Sequence, residues 1–407
     1  MTTESSNRSL APDLARGLML LLIALAHAPG FLGSWRSGTP LLDDIALFVK
    51  SLIADNQART MFVFLFGYGL GQLAHRHHVR GGDWPGLRVL LRRRSVWLVL
   101  IGFAHTILLV PIDIVAIYGL ALLLFTPLVR AKGTTLGWTT ALTLVPATLL
   151  LAWQSVNAQL GVEAGAPVTF AQFMEPTYGA HLLANTTKPA QAVLGVVMVL
   201  PGMLLGIWAA RRRFLDEPTD HRKTLRRAAL GLLALALLGR LPAALLAAGV
   251  WSSASVPVHW AVAIAHDLTG FAGGIGLAAA VGLAAARIGD RPGRLTTALA
   301  ALGQRSLTFY LFQSVVWLAL FYPFTLGLHD RVNLVGSFGI AALVFAVSVV
   351  LAELMRRRGK RGPMEVVLRR MSYPRRQSAP EPHNAAPGAG EQHRRLFRGQ
   401  ADPTEAR

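Results

Sequence analysis

The chain predicts an all-α fold, a polytopic integral membrane bundle of about ten transmembrane helices, and three observations predict it. Hydrophobic residues make up 53% of the 407 and charged residues only 15%, a balance no soluble domain of this size shows. Apolar runs near helix-spanning length recur along the whole chain. Between them the cations fall in short clusters, so the net charge of +19 reads as membrane topology and argues against nucleic acid as a partner. Cysteine is absent, which excludes disulfides, iron–sulfur clusters, thiolate zinc sites and cysteine acyl-enzymes.

In order, a short polar tail at 1–12 leads into a first apolar run from Leu14 to Leu32. An amphipathic piece follows from Leu41 to Ile53, suited to lie on the membrane, and a second run starts near Thr60. His75 to Arg80 and Arg92 to Arg94 read as one strongly basic loop. Further runs lie at Ser95–Val110, Ile112–Val129, Thr135–Trp153, Ala192–Ala210, Ala228–Val250, His259–Ala286, Leu307–Leu326 and Leu334–Met355. With the N-terminus inside, richly basic loops alternate with poor ones throughout, the poor ones holding scattered cations such as Arg36, Lys50, Arg59 and Lys188. Both termini are therefore expected in the cytoplasm. The membrane domain is expected over 13–373, with a disordered cytoplasmic tail at 374–407. Gln154 to Pro189 reads as a long irregular outer loop able to cover a pocket. A rival reading makes the first run a secretory leader, with Ala26-His-Ala28 as its cleavage site.

Candidate chemistry begins in the first run. Asp13, Arg16 and His27 share one helical face, with Arg16 at the mouth and His27 roughly 16 Å deeper, near the bilayer middle. His27 suits general-base work, and Arg16 suits a phosphate or carboxylate, against bland roles as a packing histidine and an interfacial anchor. His105 and Asp113, on adjoining helices with Tyr118 a turn further on, form a second candidate able to orient each other or to move a proton. Asp113 equally suits a helix start after Pro111. His259, His266 and Asp267 rank third. Thr308, Tyr310, Gln313 and Ser314 put hydrogen-bonding groups into the ninth run, either between helices or along a polar cavity. His75, His77 and His78 lack a carboxylate at ligand spacing, so no metal is expected.

Several stretches together resemble the YeiB-like family of bacterial inner-membrane proteins, named for a domain of unknown function. They are Asp13-Leu-Ala-Arg-Gly17, Leu65-Phe-Gly-Tyr-Gly69, Arg92-Arg-Arg94 followed by Ile101 to His105 and Asp113, Ser306 to Ser314, and Gly362 to Arg369 ending in Tyr373. That family is similar to the wider superfamily of transmembrane acyltransferases. Arg16, ten residues and then His27 reproduce the first-helix spacing of one of its branches. Phe309 departs from the family pattern, which tends to place Asn before the tyrosine.

The resemblance implies an acyltransferase-like protein of the bacterial inner membrane. It would move an acyl group from acetyl-CoA or another acyl-CoA onto a hydroxyl of a cell-envelope or small-molecule acceptor. His27 would deprotonate the acceptor or position the donor, and Arg16 would engage the donor's charged groups. The alternative is a non-enzymatic carrier or exporter of a small solute, which intramembrane His, Asp and Gln suit equally.

Overall fold

The computed structural model describes residues 9–33, 40–164, 169–251, 255–289 and 291–373. All regular structure there is helical: α1 (Leu10–His27), α2 (Pro40–Val49), α3 (Gln57–Val79), α4 (Trp84–Leu108), α5 (Val115–Phe125), α6 (Gly133–Glu163) and α7 (Tyr178–Asn185). Then come α8 (Ala192–Arg211), α9 (Arg222–Ala247), α10 (Val256–Ile288), α11 (Arg294–Gly303), α12 (Ser306–Phe321), α13 (Leu334–Arg357) and α14 (Pro363–Ser372). Of the expected tail at 1–12, residues 1–8 lie outside the described residues and Leu10 to Pro12 already belong to α1, while the expected tail at 374–407 lies outside the described residues.

Each expected apolar run falls on a helix. Six spans are long and apolar enough to cross a membrane: Leu10–Phe31, Gly133–Gly161, Tyr178–Arg211, Arg222–Ala247, Val256–Ile288 and Leu334–Arg357. Val115–Val129 and Ser306–Phe321 are shorter apolar helices. The helices α3 and α4 have the length, 23 and 25 residues, but are too polar to count on composition alone. Side-chain placement makes the same point: Leu238 of α9 is 72% exposed while Arg240, two residues on, is fully buried. Large apolar residues face outward on α6, α9 and α13, and small or polar ones face inward. This is the arrangement of a chain whose solvent is lipid, and the protein is a multi-pass membrane protein.

The post of the bundle is α1, which packs against α3, α10, α11, α12 and α13. Ala11, Ala15, Met19 and Leu20 are wholly covered, as in a core helix. The helix begins at Leu10, so Arg16 lies about two turns inside it and not at its mouth. His27 is the last residue of α1, toward the far end of the span and not at its middle. Against α11 the approach is backbone to backbone, because a Cβ on Gly17 would strike the Leu299 carbonyl and one on Gly303 the Asp13 carbonyl.

Two expected loops are largely helical. The chain runs helically through His75–Val79 at the end of α3 and through Arg92–Arg94 within α4, so the basic cluster extends two helices beyond their apolar parts. From Gln154 onward, α6 continues to Glu163, and after it come short turns and α7, leaving little irregular chain. At the other end of the bundle Glu365 of α14 caps α12. Its carboxylate accepts from the Leu307 and Thr308 amides at 2.8 and 3.2 Å and from the Thr308 hydroxyl at 2.5 Å. Thr308 is thus committed to this cap.

Replacing Gly17 by Val should force α1 from α11 and cost about 1–3 kcal/mol, read as a lowered melting midpoint in detergent, while Gly137→Ala, in open space, leaves it unchanged.

Candidate functional site

The hairpin between α4 and α5 is tight because Gly102 has no side chain. A Cβ there would meet the Ala116 backbone and the Asp113 carboxylate. Asp113, in the turn, accepts from the Ala116 amide at 2.5 Å and so starts α5. Its other oxygen lies 3.0 Å from His105 Nδ1, with both side chains buried. The contact is within ion-pair distance, although it lacks the alignment of a linear hydrogen bond. On the far side of the ring, His105 Nε2 lies 2.7 Å from Ser314 Oγ of α12. A carboxylate, an imidazole and a hydroxyl therefore stand in line, in the order that orients a base and lets it draw a proton from a nucleophile.

The structure thus joins two candidates that the sequence left apart. Tyr310 donates to the Ile112 carbonyl at 3.3 Å, and its ring centroid is 5.4 Å from that of His105. Gln313 Nε2 donates to the Leu20 carbonyl at 3.1 Å, fixing α12 to α1, and among the described residues its Oε1 has no partner. Tyr118 stacks on Phe66 at 4.5 Å, and its buried hydroxyl likewise has no partner among the described residues. Over this end lies an aromatic cover: Tyr178 of α7 donates to the Leu108 carbonyl, His181 meets Tyr322 edge-on at 5.0 Å, and Phe31 stacks on Trp317 and Phe321.

Arg16 and His27 are not brought together; they stand roughly 16 Å apart along α1. Arg16 lies 3.2 Å from Asp13 Oδ1, with Nη2 3.4 Å from the Leu65 carbonyl, and its side chain is 18% exposed. Gln304 donates to Asp13 at 3.0 Å. His27 is different: its ring makes no hydrogen bond among the described residues, is partly accessible, and stands within electrostatic reach of His105, Lys50, Arg59 and Asp55. It therefore faces the same polar interior as His105.

A second cluster lies beside it. Lys50 Nζ is 2.7 and 2.9 Å from the two Asp55 carboxylate oxygens. Arg240 donates to the Leu52 carbonyl at 3.0 Å and to the Ser51 carbonyl, pinning the π-helical turn Lys50–Ala54. Asp267 accepts from Ser155 at 2.7 Å and lies 3.4 Å from the His266 ring. His259 bonds the Ser255 carbonyl one turn back. Sequence reasoning passed over Arg240, although a guanidinium amid an apolar run is a strong signal. It also left Lys50 and Arg59 as loop cations, because they sit just before the second apolar run.

Arg240→Ala should cost about 2–4 kcal/mol, since two buried carbonyls lose their donor at roughly 1–3 kcal/mol each. Arg59→Gln should leave the melting midpoint nearly unchanged, and thermal unfolding in detergent compares the two.

Among curated proteins the chain is similar to "Uncharacterized protein YxaH" of Bacillus subtilis (strain 168), 25% identical over 374 residues, covering 84% of this chain and 85% of that one. A family described as "Protein of unknown function (DUF418)" matches residues 209–375, which hold Arg240, the His266–Asp267 pair and the Ser314 helix but not α1, His105 or Asp113. Over that stretch, less than half of its length, the chain is similar to the DUF418 family, whose description gives no activity.

Proposed function

We propose that this protein is a membrane-embedded acyltransferase in which Ser314 is the nucleophile, His105 its base and Asp113 the group that orients the base. The observation that carries this is the line of contacts from Asp113 through His105 to Ser314, at 3.0 and 2.7 Å. Nucleophile and base are within hydrogen-bond reach, and a third group holds the base.

In the first half-reaction Ser314 Oγ attacks the carbonyl of an acyl thioester such as acetyl-CoA, and its proton passes to His105 Nε2. The carbon–sulfur bond breaks, the thiolate takes that proton, and the acyl group rests on Ser314 as an ester. An acceptor hydroxyl then attacks the ester. His27, partly accessible and without a partner among the described residues, takes the acceptor's proton, and that same proton passes by way of His105 to Ser314 Oγ as the ester breaks, leaving both rings neutral. Ser314 sits within α12, so its amide is bonded along the helix and cannot serve the oxyanion. Side chains must do so, and the Tyr310 hydroxyl, the nearest in sequence on that face, would turn from the Ile112 carbonyl to do it. Arg16, partly exposed toward the other end of α1, contacts the donor's charged groups, so the thiol arm must thread along α1 to reach Ser314.

Topologically we read ten spans, with α3 and α4 added to the six long and two short apolar helices, and with both termini on the cytoplasmic side of the bacterial inner membrane. Reporter fusions check this: a fusion at Lys188 should be active only outside, and one at Arg213 only inside.

The main test is covalent trapping. Detergent-purified protein given acetyl- or octanoyl-CoA should carry a hydroxylamine-labile acyl group on the Ser314 peptide, seen by mass spectrometry. Ser314→Ala should abolish it, and His105→Ala should slow it by about 10²–10⁴-fold. A folded wild type that is never acylated, or an adduct that persists in Ser314→Ala, overturns the reading in favour of a solute carrier.

A further inference from the structure

Arg59 is in the first turn of α3, partly accessible, and among the described residues its one hydrogen bond goes to the thioether of Met198 at 3.6 Å. A thioether is a weak acceptor and no counter-ion for a guanidinium with five donors. The neighbouring carboxylates are committed elsewhere, Asp55 to Lys50 and Asp267 to Ser155 and His266. Both are within electrostatic reach of Arg59, yet neither makes an ion pair with it.

Tyr118 packs edge-on against Phe62, one turn after Arg59 on α3, at 5.2 Å, which puts it beside Arg59. Its side chain is only 3% exposed, and among the described residues its buried hydroxyl has no partner, so a donor is left unsatisfied at a cost of roughly 1–3 kcal/mol. His27, also without a partner among the described residues, is a third group on this interior within electrostatic reach of Arg59. The N-terminus of α3 adds to the field, since Asn56 gives its amides no side-chain cap. One cation without an ion-pair partner, one orphan hydroxyl and one open imidazole, among the described residues, share this interior.

We propose that Arg59 and Tyr118, beside His27, form a binding subsite for an oxyanion, the carboxylate or phosphate of a substrate that enters the bundle from the His27 end. Arg59 takes the anion with two parallel N–H bonds, and the Tyr118 hydroxyl donates a third. Within the acyl-transfer reading, on which only this last step rests, the anion belongs to the acceptor. The substrate class is then a molecule with both a hydroxyl, presented to His27, and an anionic group held on Arg59.

The test is binding to the full-length protein in a neutral maltoside detergent, followed by thermal shift. The probes are inorganic phosphate, acetate, octyl phosphate, octanoate and, as an uncharged control, octanol. The anions should raise the melting midpoint with dose, and octanol should not. A response to phosphate or acetate alone points to a free small anion, and a response confined to the octyl compounds to an amphiphile; both support the subsite. Arg59→Gln should weaken binding at least 10-fold, Tyr118→Phe less, and Arg59→Lys should keep part of it. Ser314→Ala should bind like wild type, so loss of transfer chemistry leaves this result standing. Equal shifts with octanol, or undiminished anion binding in folded Arg59→Gln or in both Arg59→Lys and Tyr118→Phe, overturn the proposal.

Discussion

Inside a hydrocarbon slab a carbonyl or a guanidinium has no water to turn to, and the arrangement of this bundle follows from how that demand is met. Where a helix ends or a turn crosses the interior, a side chain from elsewhere in the chain supplies the missing partner. Glu365 serves the first amides of α12, Arg240 the carbonyls of the turn before α3, and Gln313 the Leu20 carbonyl of α1. Each of these contacts joins segments far apart in sequence. Polar satisfaction, more than apolar contact, therefore fixes which helices are neighbours, because lipid solvates leucine as well as protein does.

The second determinant is how closely backbones approach. Gly17 and Gly303 let α1 and α11 meet at their main chains, and Gly102 lets the Asp113 turn fold back on α4. The first approach fixes α1 in the centre, where Leu20 anchors Gln313 and hence the neighbouring Ser314. The second brings the Asp113 carboxylate to His105. The Asp113–His105–Ser314 line thus depends on three small residues that take no part in it.

What the sequence revealed follows from this physics. The apolar runs were legible because lipid-facing surface is written in composition, and Leu238 or Leu142 need only be apolar. His105 with Asp113 was legible because eight residues and one turn separate them. Ser314 was not, being more than two hundred residues away, and nothing in its surroundings distinguishes a helix-bonded serine from one facing a histidine. Helix ends were misplaced where charge masked continuity: Arg92–Arg94 looked like loop, yet a helix can carry arginines past the apolar zone with their stems on the surface. Arg59 was misread for the same reason, since a cation before an apolar run signals topology unless its first turn faces inward.

That difference between satisfied and unsatisfied groups separates structure from function here. Arg240 and Arg59 are the same residue type, in one membrane bundle, near the same two aspartates. Arg240 spends Nε and Nη2 on carbonyls and is wholly buried, with Nη1 alone left without a partner among the described residues, so its work is done once the chain has folded. Arg59, among the described residues, spends its one bond on a sulfur and stays partly accessible, so its remaining donors are left for a ligand to meet. Ser314 extends the argument: a nucleophile inside a helix has no free amides beside it, so any charge that develops there must be met by side chains from other helices. Tyr118 and His27, without partners among the described residues, belong to that interior.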